Sequence, residues 1–156
     1  MTKLEEGNPA PDFDLPTDGD RRLALADLAG KMVVLYFYPK DDTPGCTKEA
    51  IAFSALREEF EKAGAVVIGV SPDTPAKHDK FKAKHGLSVH LAADTDQATA
   101  NAYGVWVEKS MYGRKYMGIE RSTFLIGPDG ALLKIWRKVK VAGHAEAVLD
   151  AVRAQG

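Results

Sequence analysis

Apolar residues recur along this chain in two rhythms. The run KMVVLYFYP, residues 31–39, is β-branched and aromatic with no alternation. That predicts a strand buried on both faces of a sheet. AVVIGVSPD (65–73) reads the same way, and SVHLAAD (88–94) predicts a third strand. Between them the rhythm changes to threes and fours. Ala50, Phe53, Leu56 and Phe60 keep one apolar face, so a helix is predicted from Thr43–Pro44 to the KAGA stretch at 62–65. Thr suits an N-cap, and Pro suits the first helical position because its missing N–H would be an orphan there. TPAKHDKFKAKHG (74–86) predicts a helix that opens on Thr74–Pro75 and closes before Gly86, and TDQATANAYG (95–104) a short one.

Near the N-terminus, DFDL and RRLAL flank the turn signal PTDGD, which predicts a hairpin. Residues 107–118 show no clear period and read as a loop. IERSTFLI, GPDG and ALLKIWRKV predict a second hairpin. GHAEAVLDAVRAQ predicts a C-terminal helix with Ala147, Val148, Ala151 and Val152 on its inner face. The order β-α-β-α-β, short helix, β-β-α argues for an α/β fold, a central mixed sheet flanked by helices with an N-terminal β-hairpin. A thioredoxin-like sheet satisfies this order, as does a generic α/β sandwich.

Composition narrows the classes. At 156 residues, with no internal repeat or linker, the chain reads as a single domain over 1–156. A net charge of −1 gives no global pull toward nucleic acid or an anionic membrane. The start, MTKLEEGNPAP, has no apolar core, and the longest apolar run, MVVLYFY, is far short of the ~20 residues a membrane helix needs. The expectation is a cytoplasmic protein with no membrane or nucleic-acid partner.

The chain has one cysteine, Cys46, in DDTPGCTKEA. Free cysteines are most often small buried fillers. Here Thr43 as N-cap would place Cys46 at the third helical position, in the positive field of the helix start, which favours the reactive thiolate. Gly45 leaves the sulfur open to approach, and the Thr43 hydroxyl offers a hydrogen bond to a bound molecule. The residues leave both readings open, filler or activated thiol.

Other chemistries find less support. A hydrolytic cysteine needs a histidine base. His78 and His85 read as surface positions of one helix, His144 starts another, and His90 lies in a strand. A Cys-x-x-Cys redox pair is excluded, because Glu49 stands three residues after Cys46. No paired Cys or His spacing suggests zinc, and Asp94 and Asp96 open a calcium-like stretch that puts Ala98 and Thr99 where an oxygen ligand and a glycine belong. No metal or cofactor is expected. A thiolate that acts without base or metal suits a peroxide, whose O–O bond it attacks directly. The departing oxygen then needs a cation. Arg121, at the start of a predicted inner strand, is the candidate, with Glu49 or Glu120 as its partner in a purely structural role.

FYPKDDTPGCTKEA resembles the active-site segment of a peroxiredoxin: Pro39, Thr43 and Cys46 meet the pattern Pro-x-x-x-Thr-x-x-Cys. YGRKYMGIERSTFLIGPDG is similar to the peroxiredoxin Q, or bacterioferritin comigratory protein, branch. The resemblance runs from about residue 5 to the C-terminus. It implies a thioredoxin fold and a thiol-dependent peroxidase acting on hydrogen peroxide and organic hydroperoxides. It also implies roles for matching residues: Cys46 as peroxidatic nucleophile, Thr43 bonding the peroxide, Pro39 shielding the sulfur, Arg121 activating it and Glu49 orienting the arginine.

Many members of that branch carry a second, resolving cysteine five residues on, where this chain has Ile51, or in the following helix, where it reads KFKAKHG. The chain thus resembles a one-cysteine variant. The resemblance then implies an external thiol reductant (thioredoxin, glutaredoxin or glutathione) and a monomer or weak homodimer. The alternative function is a non-enzymatic peroxide sensor or holdase using the same cysteine.

Overall fold

The computed structural model describes residues 4–155. Its centre is a seven-stranded sheet in the order β2-β1-β5-β4-β3-β8-β9. Strands β3 (Met32–Phe37), β4 (Ala65–Ser71) and β5 (His90–Ala93) run parallel, as the strand–helix alternation requires. The N-terminal hairpin, β1 (Asp14–Thr17) and β2 (Arg21–Ala24), extends the β5 side antiparallel. The closing hairpin, β8 (Ser122–Ile126) and β9 (Leu132–Trp136), adds to the β3 side, also antiparallel. The sheet is therefore mixed, with β3 between a parallel and an antiparallel neighbour.

The absence of alternation in β3 has a direct cause. Val34, Tyr36 and Tyr38 enter one core, while Val33, Leu35 and Phe37 enter the other. The first core is closed by α1 (Pro44–Ala55), α2 (Arg57–Lys62), α3 (Pro75–His85) and α5 (His144–Gln155). The second is closed by the N-terminal segment and α4 (Ala98–Ala102). Both faces of β3 are dry, so its sequence cannot show a polar period. No helix among the described residues is long and apolar enough to cross a membrane.

Three local expectations are corrected. The helix predicted from Pro44 to residue 62 is two helices, broken at Leu56 with φ −100° and ψ 4°. Phe53 and Phe60 still enter one core across the break, with ring centroids 5.9 Å apart. The segment read as a loop at 107–118 is a separate hairpin, β6 (Trp106–Met111) and β7 (Arg114–Ile119). Tyr112 and Gly113 close it, both at positive φ, as a two-residue turn demands. Most of its residues are exposed, so neither face carries a continuous apolar set. In α5 the buried face is Ala145, Val148, Leu149 and Val152, not one that includes Ala147, which is exposed.

Candidate active site

β3 ends at Phe37, and the chain crosses from Tyr38 to Thr43 before α1 begins at Pro44. Thr43 occupies the N-cap position with extended backbone (φ −94°, ψ 154°), and its carbonyl accepts the first helical bond, from the Thr47 N–H at 2.8 Å. Its side chain does not cap. The Thr43 hydroxyl donates to the Lys40 carbonyl at 2.8 Å. Its one hydrogen is thus committed to that carbonyl, which leaves its lone pairs as acceptors.

Cys46 sits in the first turn of α1, 2% exposed, between the helix and the Tyr36 and Tyr38 positions of the core. Among the described residues one charged side chain hydrogen-bonds its sulfur. Arg121, the residue just before β8, donates from Nη2 to Cys46 Sγ at 3.3 Å. Its Nη1 donates to Glu49 Oε1 at 2.7 Å. β3 and β8 are adjacent, with Phe37 opposite Ser122, so the sheet register brings Arg121 to the start of α1. Gly45 makes room for it: a β-carbon there would lie 3.2 Å from Arg121 Nη2. The glycine therefore opens the site to the guanidinium.

Glu49 is one helical turn beyond Cys46 and 1% exposed. Burial pushes its carboxyl up to about 7, and the charge and hydrogen bond of Arg121 pull it back only in part. Among the described residues its Oε2 has no hydrogen-bond partner, and neither has the Tyr36 hydroxyl. Burial, followed by the Glu49 charge, raises the Tyr36 phenol well above its ordinary value. Burial lowers the Arg121 guanidinium, yet Glu49 and then the Cys46 sulfur hold it above its usual value. The result is a cation fixed between a carboxyl group and a sulfur, largely out of water.

Of the five residues singled out from sequence, the structure brings Cys46, Arg121 and Glu49 into one hydrogen-bonded chain. Thr43 stands three residues before the sulfur, and Pro39, half-buried, opens the same crossing. Lys109 on β6 was not singled out. Partial burial first, and then the Arg121 guanidinium, lower its ammonium, while Glu120 and the Cys46 sulfur oppose this, so it stands in the field of the site. The reading of 107–118 as loop hid it.

One histidine differs from expectation. His78 is fully buried rather than on a surface face, and it hydrogen-bonds Asp41 of the crossing. His144 is buried too. Its Nε2 pairs with the Thr123 hydroxyl at 2.8 Å, and burial, followed by the Arg121 charge, pushes its imidazole down to about 4. The Asp94 carboxylate accepts from the Thr99 and Ala100 N–H groups at the start of α4.

A thiol in this setting is equipped to act as a nucleophile toward a small electrophile whose leaving atom gains negative charge. Comparison with known proteins agrees in kind. Residues 7–135 match the AhpC/TSA family model. Peroxiredoxin Bcp of Xanthomonas campestris is 53% identical over 148 residues, covering 94% of this chain and 92% of that one. The Xylella fastidiosa PrxQ structure, a cysteine-to-serine mutant, superposes with a TM-score of 0.94 at 41% identity, covering 99% of both chains. A Xanthomonas campestris bacterioferritin comigratory protein structure, described for its alkyl peroxide reduction activity, superposes with a TM-score of 0.88 at 50% identity, covering 92% of this chain and 91% of that one.

Proposed function

This chain belongs to the AhpC/TSA family as a one-cysteine peroxiredoxin of the Bcp branch, a thiol-dependent peroxidase, and on that premise we propose a cycle carried by Cys46 alone. The Cys46 thiolate attacks the terminal oxygen of a hydroperoxide. An S–O bond forms as the O–O bond breaks, the sulfur becomes a sulfenic acid, and an alkoxide or hydroxide leaves and takes a proton from solvent. The substrates are hydrogen peroxide and organic hydroperoxides. Activity toward alkyl peroxides in the Xanthomonas relative supports the organic class.

The 3.3 Å contact between Arg121 Nη2 and the sulfur carries this reading. The guanidinium stabilises the thiolate before attack and shares its charge with the departing oxygen, a preorganised arrangement in a site of low dielectric. Glu49 holds the fork in place through Nη1. Thr43 accepts a hydrogen bond from the O–H of the bound hydroperoxide, because its own hydrogen is spent on Lys40. Pro39 covers the sulfur from bulk water.

Regeneration comes from outside the chain. One external thiol condenses with the sulfenic acid and releases water; a second displaces Cys46 from the mixed disulfide. Thioredoxin, glutaredoxin or glutathione supplies these thiols. The protein works in the cytoplasm as one domain, monomeric or weakly dimeric. The test is turnover: with peroxide and a small thiol the protein consumes peroxide over many cycles, and with peroxide alone it stops within a few equivalents, as Cys46 is oxidised past the sulfenic acid. Thiol-independent turnover would contradict the cycle.

A further inference from the structure

The His78 imidazole, on the inner face of α3, has both ring nitrogens engaged. Nε2 lies 2.9 Å from the Ala92 carbonyl of β5, and Nδ1 lies 2.6 Å from Asp41 Oδ2. A carbonyl can only accept, so Nε2 carries a hydrogen. A neutral imidazole has one N–H, and its Nδ1 would then turn a lone pair toward a carboxylate oxygen at 2.6 Å. Two acceptors do not approach so closely. A hydrogen therefore lies on the Nδ1–Oδ2 line, as imidazolium with carboxylate or imidazole with carboxylic acid. Both forms are neutral as a pair, which suits side chains 0% and 6% exposed.

The rest of the surroundings complete the network. Asp41 Oδ1 accepts from the hydroxyl of Tyr38, the residue just after β3, at 2.5 Å, and burial keeps that phenol in its donating form. The Asp41 N–H donates to Asp73 Oδ2 at 2.7 Å, an oxygen that also accepts from Ser71. Asp41 is two residues before Thr43 and five before Cys46. The next residue, Asp42, adopts φ 62°, a left-handed conformation that asks for support, and its carboxylate reaches Lys84 and His85 of α3. The crossing that leads to the sulfur is thus held from α3, on the side away from β8 and Arg121.

We propose that the proton-bridged His78–Asp41 pair is the positioning element of the reactive loop, fixing through Asp41 the backbone that sets Thr43 and Cys46 against Arg121. This rests on the peroxidase reading above and adds residues to it. Neither side chain touches the sulfur or the substrate, so both act through the placement of residues 39–46. Small misplacements of reacting groups are costly, of the order of a hundredfold in rate for about 1 Å.

The test compares four variants in the rate of sulfenic acid formation with hydrogen peroxide, each with its melting curve. His78→Phe keeps bulk and removes the bridge; Asp41→Ala removes its other half. Both are expected to slow the reaction by about tenfold or more. Asp41→Asn is expected to recover most of the loss seen in Asp41→Ala. Its amide can donate to Nδ1 of a neutral His78, keep Nε2–H on Ala92 and still accept from Tyr38. Cys46→Ser supplies the unreactive baseline. Proton NMR of the parent reads the bridge without turnover, as a far-downfield resonance that is absent from His78→Phe and Asp41→Ala. A His78→Phe protein that reacts at the parent rate would overturn the proposal. So would an Asp41→Asn protein as slow as Asp41→Ala, or a parent spectrum without the bridging proton. A parent that shows the resonance but does not react with peroxide would instead contradict the peroxidase cycle.

Discussion

Arg121 Nη2 stands 3.3 Å from Cys46 Sγ although 75 residues separate them in sequence. The contact follows from one strand pairing, β3 with β8, which sets the residue before β8 beside the helix that starts after β3. Replacing Arg121 by Lys keeps a charge and loses the planar fork, which can serve the sulfur and Glu49 at once. Arg121→Lys is expected to form sulfenic acid at least about tenfold more slowly, with a melting temperature close to the parent's. Stopped-flow kinetics and a thermal melt measure both. A parent-like rate would make Arg121 a structural residue.

Thr43 separates two roles that one residue type can play. Its hydroxyl bonds Lys40 and makes no cap to the helix. Thr43→Val is therefore expected to cost less than the ~1 kcal/mol of a lost N-cap, while slowing the peroxide step. Thr43→Ser should restore most of the rate. A full cap-sized loss of stability, with the rate unchanged, would contradict the acceptor role.

Gly45→Ala sets two effects against each other. Alanine favours a helix over glycine by up to about 1 kcal/mol. Its β-carbon, however, would lie 3.2 Å from Arg121 Nη2, so the guanidinium must shift by a few tenths of an ångström. The expected variant is no less stable and slower with peroxide. Denaturant unfolding and peroxide kinetics on the same sample give the two signs.

The stability of the protein should fall as pH rises through the titration of Glu49. Its folded value, about 7, lies above the 4.5 of a free carboxyl because of burial. The folded state therefore binds this proton more tightly than the unfolded state. Its stabilising effect is full below about 4.5 and is lost as pH rises through 7. The change is on the order of 3 kcal/mol at most, since one unit corresponds to about 1.4 kcal/mol. Glu49→Gln should flatten this part of the curve, with Gln still accepting from Arg121 Nη1. Urea unfolding at several pH values between 5 and 8 reads the slopes; parallel slopes in parent and variant would contradict the assignment.

The strand–helix alternation was legible because β3, β4 and β5 are apolar on both faces and α1 and α3 begin on Thr-Pro pairs. What stayed hidden shares a cause: a side chain whose type belies its surroundings. His78 lies in a helix rich in lysine, so the stretch read as surface, yet it sits three residues before the buried Phe81 and shares its face. That i, i+3 spacing was the available signal. Lys109 was lost with its hairpin, because β6 and β7 are mostly exposed and carry no apolar period; Tyr112–Gly113, a two-residue turn, was the clue. Arg121 was legible as an anomaly, a charge at the mouth of an apolar strand, but its distance to Cys46 depends on which strands pair.

With a single thiol in the chain, oxidised Cys46 meets an external thiol, a second molecule or more peroxide. Excess peroxide without thiol is expected to drive it to the sulfinic acid, which ordinary thiols do not reverse. Activity assayed after such a treatment should be lost in proportion to sulfinic acid, and prior addition of thiol should protect it. Recovery of full activity by thiol after prolonged excess would contradict this.

Intact mass after one equivalent of hydrogen peroxide tests the central claim most directly. The account predicts a monomer heavier by one oxygen atom, located on Cys46, that returns to the starting mass when a small thiol is added, and no such gain in Cys46→Ser. A chain that consumes peroxide while its mass stays unchanged and no thiol is present would contradict it.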